Sequence, residues 1–273
     1  MNATPAFQTR IAFEHDFVDF EWTDRHLAAL DRLNRSTGGE VLSPVVHGRQ
    51  RGFRTAQFVG LVQLEGATIE ILPKLYRGSS EPPQHMAARN LLVLLAHAFD
   101  LGLRDTGIAS VVSEHGDWFE ALAALFAARL MDLWQRGPQR TYRSLDEDLP
   151  VLKGKLRVGE QLRRPEQYQR LAVRYDEFTV DHPRNQVLRA AVELLWQVCR
   201  LPTNRRQFGI LREWLDQVTP LPPIVAAQLA MPPLTRLNQH YGPLVNLARL
   251  LLQRAAPYMT HGAHETYAFV FDM

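Results

Sequence analysis

The sequence predicts an α+β protein, in which a small strand-rich amino-terminal module precedes a mainly helical domain that carries a projecting β-hairpin arm. Three observations predict this fold class. Within residues 1–80, apolar and polar residues alternate in several short runs, as they do along half-buried strands. Beyond about residue 85, apolar residues instead recur at the spacing of one helix face. Between two such helical stretches, residues 139–180 return to an extended pattern around an acidic tip.

The amino-terminal module is predicted to contain one helix and a β-hairpin. The run "TDRHLAALDRLNRSTGG" has Thr23 or Asp24 as a candidate amino-terminal cap and two glycines as a stop. Further on, "FVGLVQL" and "ATIEIL" are joined by Glu65 and Gly66, which predicts a hairpin with a short turn. The tract 76–84 is rich in Gly, Ser and Pro, so we place a domain boundary there.

The second domain is expected to span residues 85–260. Apolar periodicity predicts helices at about 86–99, 117–136, 205–218 and 243–256, and a further helix directly after "DHPRN". The arm at about 139–180 interrupts this helical pattern. The final residues, "YAFVFDM", begin a strand.

Composition limits the possible classes of protein. The chain has 273 residues, of which 46% are hydrophobic, and this is enough for one large or two modest domains. No apolar run approaches the ~20 residues of a membrane span, and no signal segment opens the chain, so we expect a soluble cytoplasmic protein. Cys199 is the single cysteine, which excludes an internal disulfide and a Cys-rich zinc site, and its apolar neighbours favour a buried thiol. A net charge of +2 does not by itself indicate a nucleic-acid binder.

Several catalytic motifs are absent from the sequence. It contains no phosphate-binding loop of the G-x-x-x-x-G-K-[ST] type, no G-x-S-x-G and no H-E-x-x-H. A nuclease centre of the PD-(D/E)xK class needs an acid two residues before a lysine, so that both side chains lie on one face of a strand. The three lysines are Lys74, Lys153 and Lys155, and the residues two positions before them are leucine, valine and lysine. The sequence therefore predicts no standard catalytic centre of that class in this chain.

Three acids stand in front of the helix that begins near Pro183. Asp176, Glu177 and Asp181 are candidate Mg²⁺ ligands for an alternative function as a metal-dependent nuclease. Acids before a helix are also favoured by its exposed N–H groups and its dipole. We favour this second interpretation: no metal site, with Asp176 and Glu177 supporting the turn from strand to helix and Asn185 acting as a polar anchor near the helix start.

The arm carries basic residues on both sides of its acidic tip. A projecting hairpin of this kind can insert charged side chains into the cleft or pore of a partner, whereas a solvated hairpin would hold surface ion pairs that contribute little. The sequence leaves both possibilities open. The candidate partner-binding residues are Arg140, Arg143, Lys153, Lys155 and Arg157.

A second basic cluster lies in the amino-terminal module. The segment "HGRQRGFR" contains Arg49, Arg51 and Arg54, which suit contacts with phosphate groups. A stand-alone DNA-binding module is therefore another alternative function. A solvated loop explains the same residues.

Five segments of the sequence, in this order, resemble the McrC family, the partner subunit of the modified-cytosine-dependent restriction system. They are "FVGLVQLEGATIEILPKL", "RNLLVLLAHAF", "LPVLKGKLRV", "YDEFTVDHPRNQVLRAA" and "FVFDM", and they span roughly residues 57–273. In that family, a segment like the last one leads into a PD-(D/E)xK endonuclease domain. The resemblance therefore implies that residues 261–273 are the first strand of a nuclease domain whose catalytic part this chain lacks.

The resemblance also implies a function. McrC proteins dock on a hexameric ring of McrB, an AAA+ GTPase, reach into its pore and stimulate GTP hydrolysis, which is coupled to DNA cleavage. Carried to this chain, the arm is the inserted element and residues 1–80 are an accessory module. This chain would hold no cofactor and no catalytic residue of its own, since GTP belongs to the partner and Mg²⁺ to the nuclease domain.

Overall fold

The computed structural model describes residues 8–48, 50–74, 83–98, 117–164, 169–255 and 267–272, and it confirms the α+β class. The described strands are β1 (Gln8–Phe13), β2 (Phe17–Asp19), β3 (Leu42–His47), β4 (Gln50–Thr55), β5 (Phe58–Leu64), β6 (Ala67–Leu72), β7 (Thr141–Leu149), β8 (Lys155–Leu156), β9 (Leu171–Thr179) and β10 (Tyr267–Asp272). The described helices are α1 (Asp24–Thr37), α2 (Pro83–Ala98), α3 (Trp118–Gln135), α4 (Val158–Gln161), α5 (Pro183–Val198), α6 (Pro202–Trp214), α7 (Pro223–Gln228) and α8 (Gly242–Ala255), with a 3-10 turn at Gln239–Tyr241.

Two small sheets and α1 build the amino-terminal module. One sheet has the order β1-β6-β5-β10 and the other β2-β4-β3, and only the β1–β6 pairing is parallel. The β5–β6 hairpin turns at Glu65 and Gly66 as predicted, and Gly66 has a φ of +75°, a conformation that favours glycine. Apolar side chains of α1, such as Leu30 and Leu33, are buried against both sheets in one hydrophobic cluster.

The strand β10 belongs to this amino-terminal sheet, although it lies at the other end of the sequence. It pairs antiparallel with β5, and Val270 stands opposite Gly60. A Cβ atom at Gly60 would come within 2.0 Å of the Phe269 carbonyl oxygen, so only glycine permits this close approach. The predicted role of this segment as the first strand of a nuclease domain stays a prediction.

The helices α2, α3, α5, α6 and α8 pack around one large hydrophobic core. Its largest fully buried aromatic side chains include Trp118, Phe126 and Phe208. Cys199 is 2% exposed, which confirms the predicted buried thiol, and burial raises its pKa. Across the part of the chain that the structure describes, no helix is long and apolar enough to cross a membrane.

A buried glutamate joins α3 to α6. The carboxylate of Glu120 accepts hydrogen bonds from the backbone N–H groups of Arg200 and Leu201 and from the side chain of Asn204. At the start of the same helix, Asp117 caps the N–H of Phe119 at 2.7 Å, and burial raises the pKa of Asp117 to about 6. These contacts fix the helical body independently of the arm.

Candidate functional site

The arm is a three-stranded sheet with the order β7-β9-β8. Its two long strands pair without interruption from Thr141 opposite Thr179 to Leu149 opposite Leu171. The short strand β8 pairs with β9 near the outer end, and α4 covers β9 there, so that Ala172 and Val173 are buried within the arm itself. The strands therefore pack mainly against one another, and the arm joins the helical body at residues 139–140 and 180–182.

A buried polar network holds the root of the arm. The side-chain amide of Asn185, on α5, donates hydrogen bonds of 2.8 Å to the backbone carbonyl oxygens of Gln139 and Val180. These two carbonyls belong to the segments that enter and leave the arm. One side chain on the body therefore binds both ends of the hairpin.

Arg184 and Tyr241 complete this root network. The guanidinium of Arg184 is almost fully buried and donates to the Gln139 side chain at 3.2 Å and to the carbonyls of Pro232 and Pro233. The backbone N–H of Gln139 donates to the Tyr241 hydroxyl at 2.5 Å. The root thus ties together segments that are about 50 to 100 positions apart in the sequence.

His182 caps the start of α5, and Asp181 links the turn from β9 to its surroundings. His182 Nδ1 accepts from the N–H of Arg184 at 3.1 Å, and burial, followed by the nearby charge of Arg184, lowers the pKa of His182. Burial alone would raise the pKa of Asp181, but hydrogen bonds from Thr219 and Gln186 and the guanidinium of Arg143 hold it below its usual value. Both residues therefore stabilise the turn in their unprotonated forms.

Asp176 and Glu177 do not support this turn, which corrects the interpretation made from the sequence. They lie inside β9, where Asp176 is opposite Ser144 and accepts a hydrogen bond from its hydroxyl, and Glu177 is opposite Arg143. Consecutive strand residues point to opposite faces, so these two carboxylates do not converge with each other. Among the residues that the structure describes, no three His, Cys, Asp or Glu side chains are grouped in a way that could hold a metal ion.

The five predicted basic residues are spread over the arm and do not form one cluster. Arg140 stacks over the ring of Phe178 at 5.5 Å and Lys153 over the ring of Tyr175 at 3.6 Å. The other three differ in their ionic contacts. Arg143 lies 3.5 Å from Asp181, Arg157 pairs with Asp146 and Glu160, and Lys155 makes no ion pair with any described residue.

The structure shows an apolar surface that the sequence analysis missed. At the outer end of the arm, Val151, Leu152, Val158 and Leu162 are exposed, and Leu162 reaches 76%. Tyr142 and Phe178 are also exposed, near the root. The sequence does contain the signal, because "PVLKG" places two apolar residues in a turn-rich segment, but it gives no measure of exposure.

Arg51 and Arg54 of the amino-terminal module do not point to one common surface. Arg51 lies on β4 with its guanidinium 5.3 Å from the centre of the Trp22 ring, and Arg54 pairs in register with Phe17 and Ser43. Residues three apart on a strand face opposite sides, so Arg51 and Arg54 do not form a single phosphate-binding face. Arg49 lies outside the described residues. DNA binding by this segment stays a prediction.

Comparison with solved structures shows a similar fold. A chain of the refined half-complex from a tetradecameric assembly of Thermococcus gammatolerans McrB AAA+ hexamers with bound McrC matches with a TM-score of 0.73 and 21% identity, covering 97% of this chain and 67% of that one. A chain of the Thermococcus gammatolerans McrBC complex solved by cryo-EM matches with a TM-score of 0.72 and 21% identity, covering 97% of this chain and 83% of that one.

Sequence comparison identifies the family. No curated protein matches the chain significantly. The profile of the family described as McrBC 5-methylcytosine restriction system component, however, matches residues 53–273, a range that includes the arm, its root and β10. The chain therefore belongs to the McrBC 5-methylcytosine restriction system component family.

Proposed function

We propose that this chain is the McrC-like subunit of a modified-cytosine-dependent restriction complex. It docks on a hexameric McrB-like AAA+ GTPase, inserts its arm into the central pore and stimulates GTP hydrolysis. The complex couples this hydrolysis to cleavage of DNA by a nuclease domain. The family match supports this proposal, as does the similar fold found in assemblies of McrB hexamers with bound McrC.

The exposed apolar end of the arm is the observation that carries the proposal. A hairpin that only projects into water gains nothing from exposing Val151, Leu152, Val158 and Leu162, and exposed apolar clusters mark interaction surfaces. The rigid root network gives this end a defined position relative to the body. A rigid projection with an apolar end suits insertion into the opening of a ring.

The arm also has the means to affect hydrolysis. Stimulation of a GTPase requires the positioning of a water-orienting residue or the supply of positive charge near the transition state. Lys153 and Lys155 flank Gly154 close to the outer end, and both side chains are exposed. They are the residues of the arm that we expect to act within the pore, by contacting pore loops or organising the GTPase site.

Steady-state GTP turnover by the McrB-like partner tests the proposal. Adding the wild-type chain should raise turnover, and the chain should co-elute with the hexamer. The double variant Lys153→Glu and Lys155→Glu should lose most of this stimulation while its thermal unfolding midpoint stays close to that of the wild type. The lysine outside the arm, Lys74, provides the matched control, since Lys74→Glu should stimulate normally. No stimulation and no co-elution by the wild-type chain would refute the proposed function.

A further inference from the structure

One face of the arm carries an exposed aromatic pair near the root. Tyr142 and Phe178 are directly opposite each other across β7 and β9, with ring centroids 4.8 Å apart and exposures of 72% and 52%. The guanidinium of Arg140 stacks on the Phe178 ring. Aromatic residues and arginine dominate the binding energy of protein interfaces, so this group has the composition of an interaction hot spot.

A basic cleft lies farther out on the same face. Because side chains alternate along a strand, the Asp146–Arg174 pair shares the face of the Tyr142–Phe178 pair, four residues or about 13 Å away. Lys155 is the register partner of Arg174 on β8 and therefore also lies on this face. The cleft has a volume of about 440 Å³, and its lining includes Lys155, Arg157, Val158, Glu160, Arg163 and Arg174.

The cleft has a surplus of positive charge. Asp146 accepts two hydrogen bonds from Arg174, at 2.6 and 2.8 Å, and Glu160 accepts one from Arg157. These acids neutralise two of the four cations of the lining. Lys155 and Arg163 make no ion pair with any described residue. The positive charge of the cleft therefore suits a bound carboxylate and disfavours a bound cation.

The acids of this face favour a protein over a nucleic acid as its occupant. Asp176 lies between the aromatic pair and the cleft, and Asp146 lies at the edge of the cleft opposite Arg174, so a phosphate backbone that spanned the two sites would pass close to both carboxylates. Stacking platforms for single strands instead combine their aromatic rings with a uniformly positive groove. A peptide, unlike a phosphate backbone, can place a single carboxylate in the cleft and neutral groups over Asp176 and Asp146.

We propose that this face is a docking strip for a protein segment with two anchors about 13 Å apart. The segment places an apolar or aromatic side chain on Tyr142 and Phe178, and a carboxylate in the basic cleft beside Lys155. The inference rests on the proposed function, in which the segment belongs to the GTPase ring. Beyond that function, the docking strip requires the ring to present an apolar or aromatic side chain and, about 13 Å away, a carboxylate.

Equilibrium binding of the fluorescently labelled chain to the McrB-like hexamer tests each anchor separately. Tyr142→Ser combined with Phe178→Ser should weaken binding about thirtyfold, and Lys155→Glu about tenfold, which are ordinary losses for hot-spot and charge changes. The control variants Leu237→Ser, at an apolar side chain that is 89% exposed outside the arm, and Lys74→Glu should bind like the wild type. Raising the salt concentration should shrink the loss caused by Lys155→Glu but not the loss caused by the serine pair.

The possible outcomes separate this inference from the proposed function. Wild-type binding and stimulation with no loss in the arm variants would overturn the docking strip and leave the proposed function standing. Absence of wild-type binding would overturn both. A single-stranded oligonucleotide provides the other test. If the serine pair abolishes oligonucleotide binding but leaves ring binding intact, the occupant is a nucleic acid and the inference is wrong.

Discussion

The root and the outer end of the arm differ in burial and in the kind of polar contact that they make. At the root, Arg184 and Asn185 are buried, and their side chains donate hydrogen bonds to neutral groups, namely the Gln139 side chain and backbone carbonyls. At the outer end, Asp146 and Arg174 form an exposed ion pair beside apolar side chains that also face the solvent. Buried hydrogen bonds are costly to break, whereas exposed ion pairs contribute little to stability. The difference indicates that the root fixes the position of the arm and that the outer end is available for binding.

Asn185→Ala should have the largest effect on stability among the changes that test this comparison. It leaves the buried carbonyl of Val180 and the partly buried carbonyl of Gln139 without their donor, which should lower the free energy of unfolding by about 3 kcal/mol. Chemical denaturation measures this loss. Because both ends of the arm are released, stimulation of GTP turnover should fall even at temperatures where the variant stays folded.

Asn204→Ala supplies the control for that experiment. Asn204 is equally buried, and its amide likewise donates two hydrogen bonds, to the backbone oxygen and the carboxylate of Glu120. The loss of stability should be similar, but stimulation should be retained because the arm does not contact this site. If the two variants stimulate equally well, the root network does not position the arm.

Tyr241→Phe should have the next largest effect. The hydroxyl accepts from the backbone N–H of Gln139, and its removal leaves that donor without a partner in a partly buried place, at a cost of about 1–2 kcal/mol. Differential scanning calorimetry of the wild type and the variant would show the shift in the unfolding midpoint. An unchanged midpoint would show that water replaces the hydroxyl and that the root is more open than the structure indicates.

The pH dependence of stability tests His182. The pKa of His182 is lowered by burial and then by Arg184, so the folded state binds the proton less tightly than the unfolded state. Its contribution is therefore fully present above the usual histidine pKa of about 6.5 and is lost as the pH falls from there through the lowered pKa of the folded state. The variant His182→Asn keeps an acceptor for the helix cap and removes the titration.

The measurement is the difference in unfolding free energy between the wild type and His182→Asn from pH 7.5 to 5. Relative to the variant, the wild type should lose stability as the pH falls. The difference is needed because Asp117 titrates in the same pH range. Its pKa is raised to about 6, so its contribution to the unfolding free energy is lost as the pH rises, opposite to that of His182. The variant His240→Asn, at an exposed histidine, should follow the wild type.

Local patterns predicted the elements of the arm but not its anchoring. The extended pattern of residues 139–180 and the proline near the helix start predicted β7, β9 and α5, because strand and helix-start signals depend on neighbouring residues. The acids expected at the tip of the arm, Asp146, Glu147 and Asp148, lie instead within β7. The contact between Gln139 and Tyr241 spans 102 positions, and the pairing of β10 with β5 is also long-range. Such contacts are set by tertiary packing and leave no periodic signal.

The candidate site shows the same limit. Charge was visible in the sequence, so the basic residues of the arm were identified, but their partners and faces were not. Tyr142 and Phe178 each have the pattern of an ordinary strand residue, and only the register across β7 and β9 brings them together on an exposed face. A sequence pattern does not distinguish an apolar residue that faces a core from one that faces solvent or a partner.

Asp146→Asn should have the smallest effect on stability. Asp146 is exposed, and its pKa is held below its usual value by the hydrogen bond from Arg174 and by the charge of Arg157. Because the pair is screened by water, the thermal unfolding midpoint should stay within experimental error of the wild type, in contrast to Asn185→Ala.

The same substitution should change binding to the ring. Without the Asp146 charge, Arg174 and Arg157 lose a competing anion, so the basic cleft should attract the carboxylate of the ring more strongly. Stopped-flow association at low ionic strength should show a faster rate constant, and the gain should fade as salt screens the charges. An association rate below that of the wild type would mean that Asp146 itself contacts the ring or is needed to hold Arg174 in place. In either case the polar groups of the outer end would be held in a defined arrangement, as those of the root are. The two regions would then differ less than the exposure of their residues indicates.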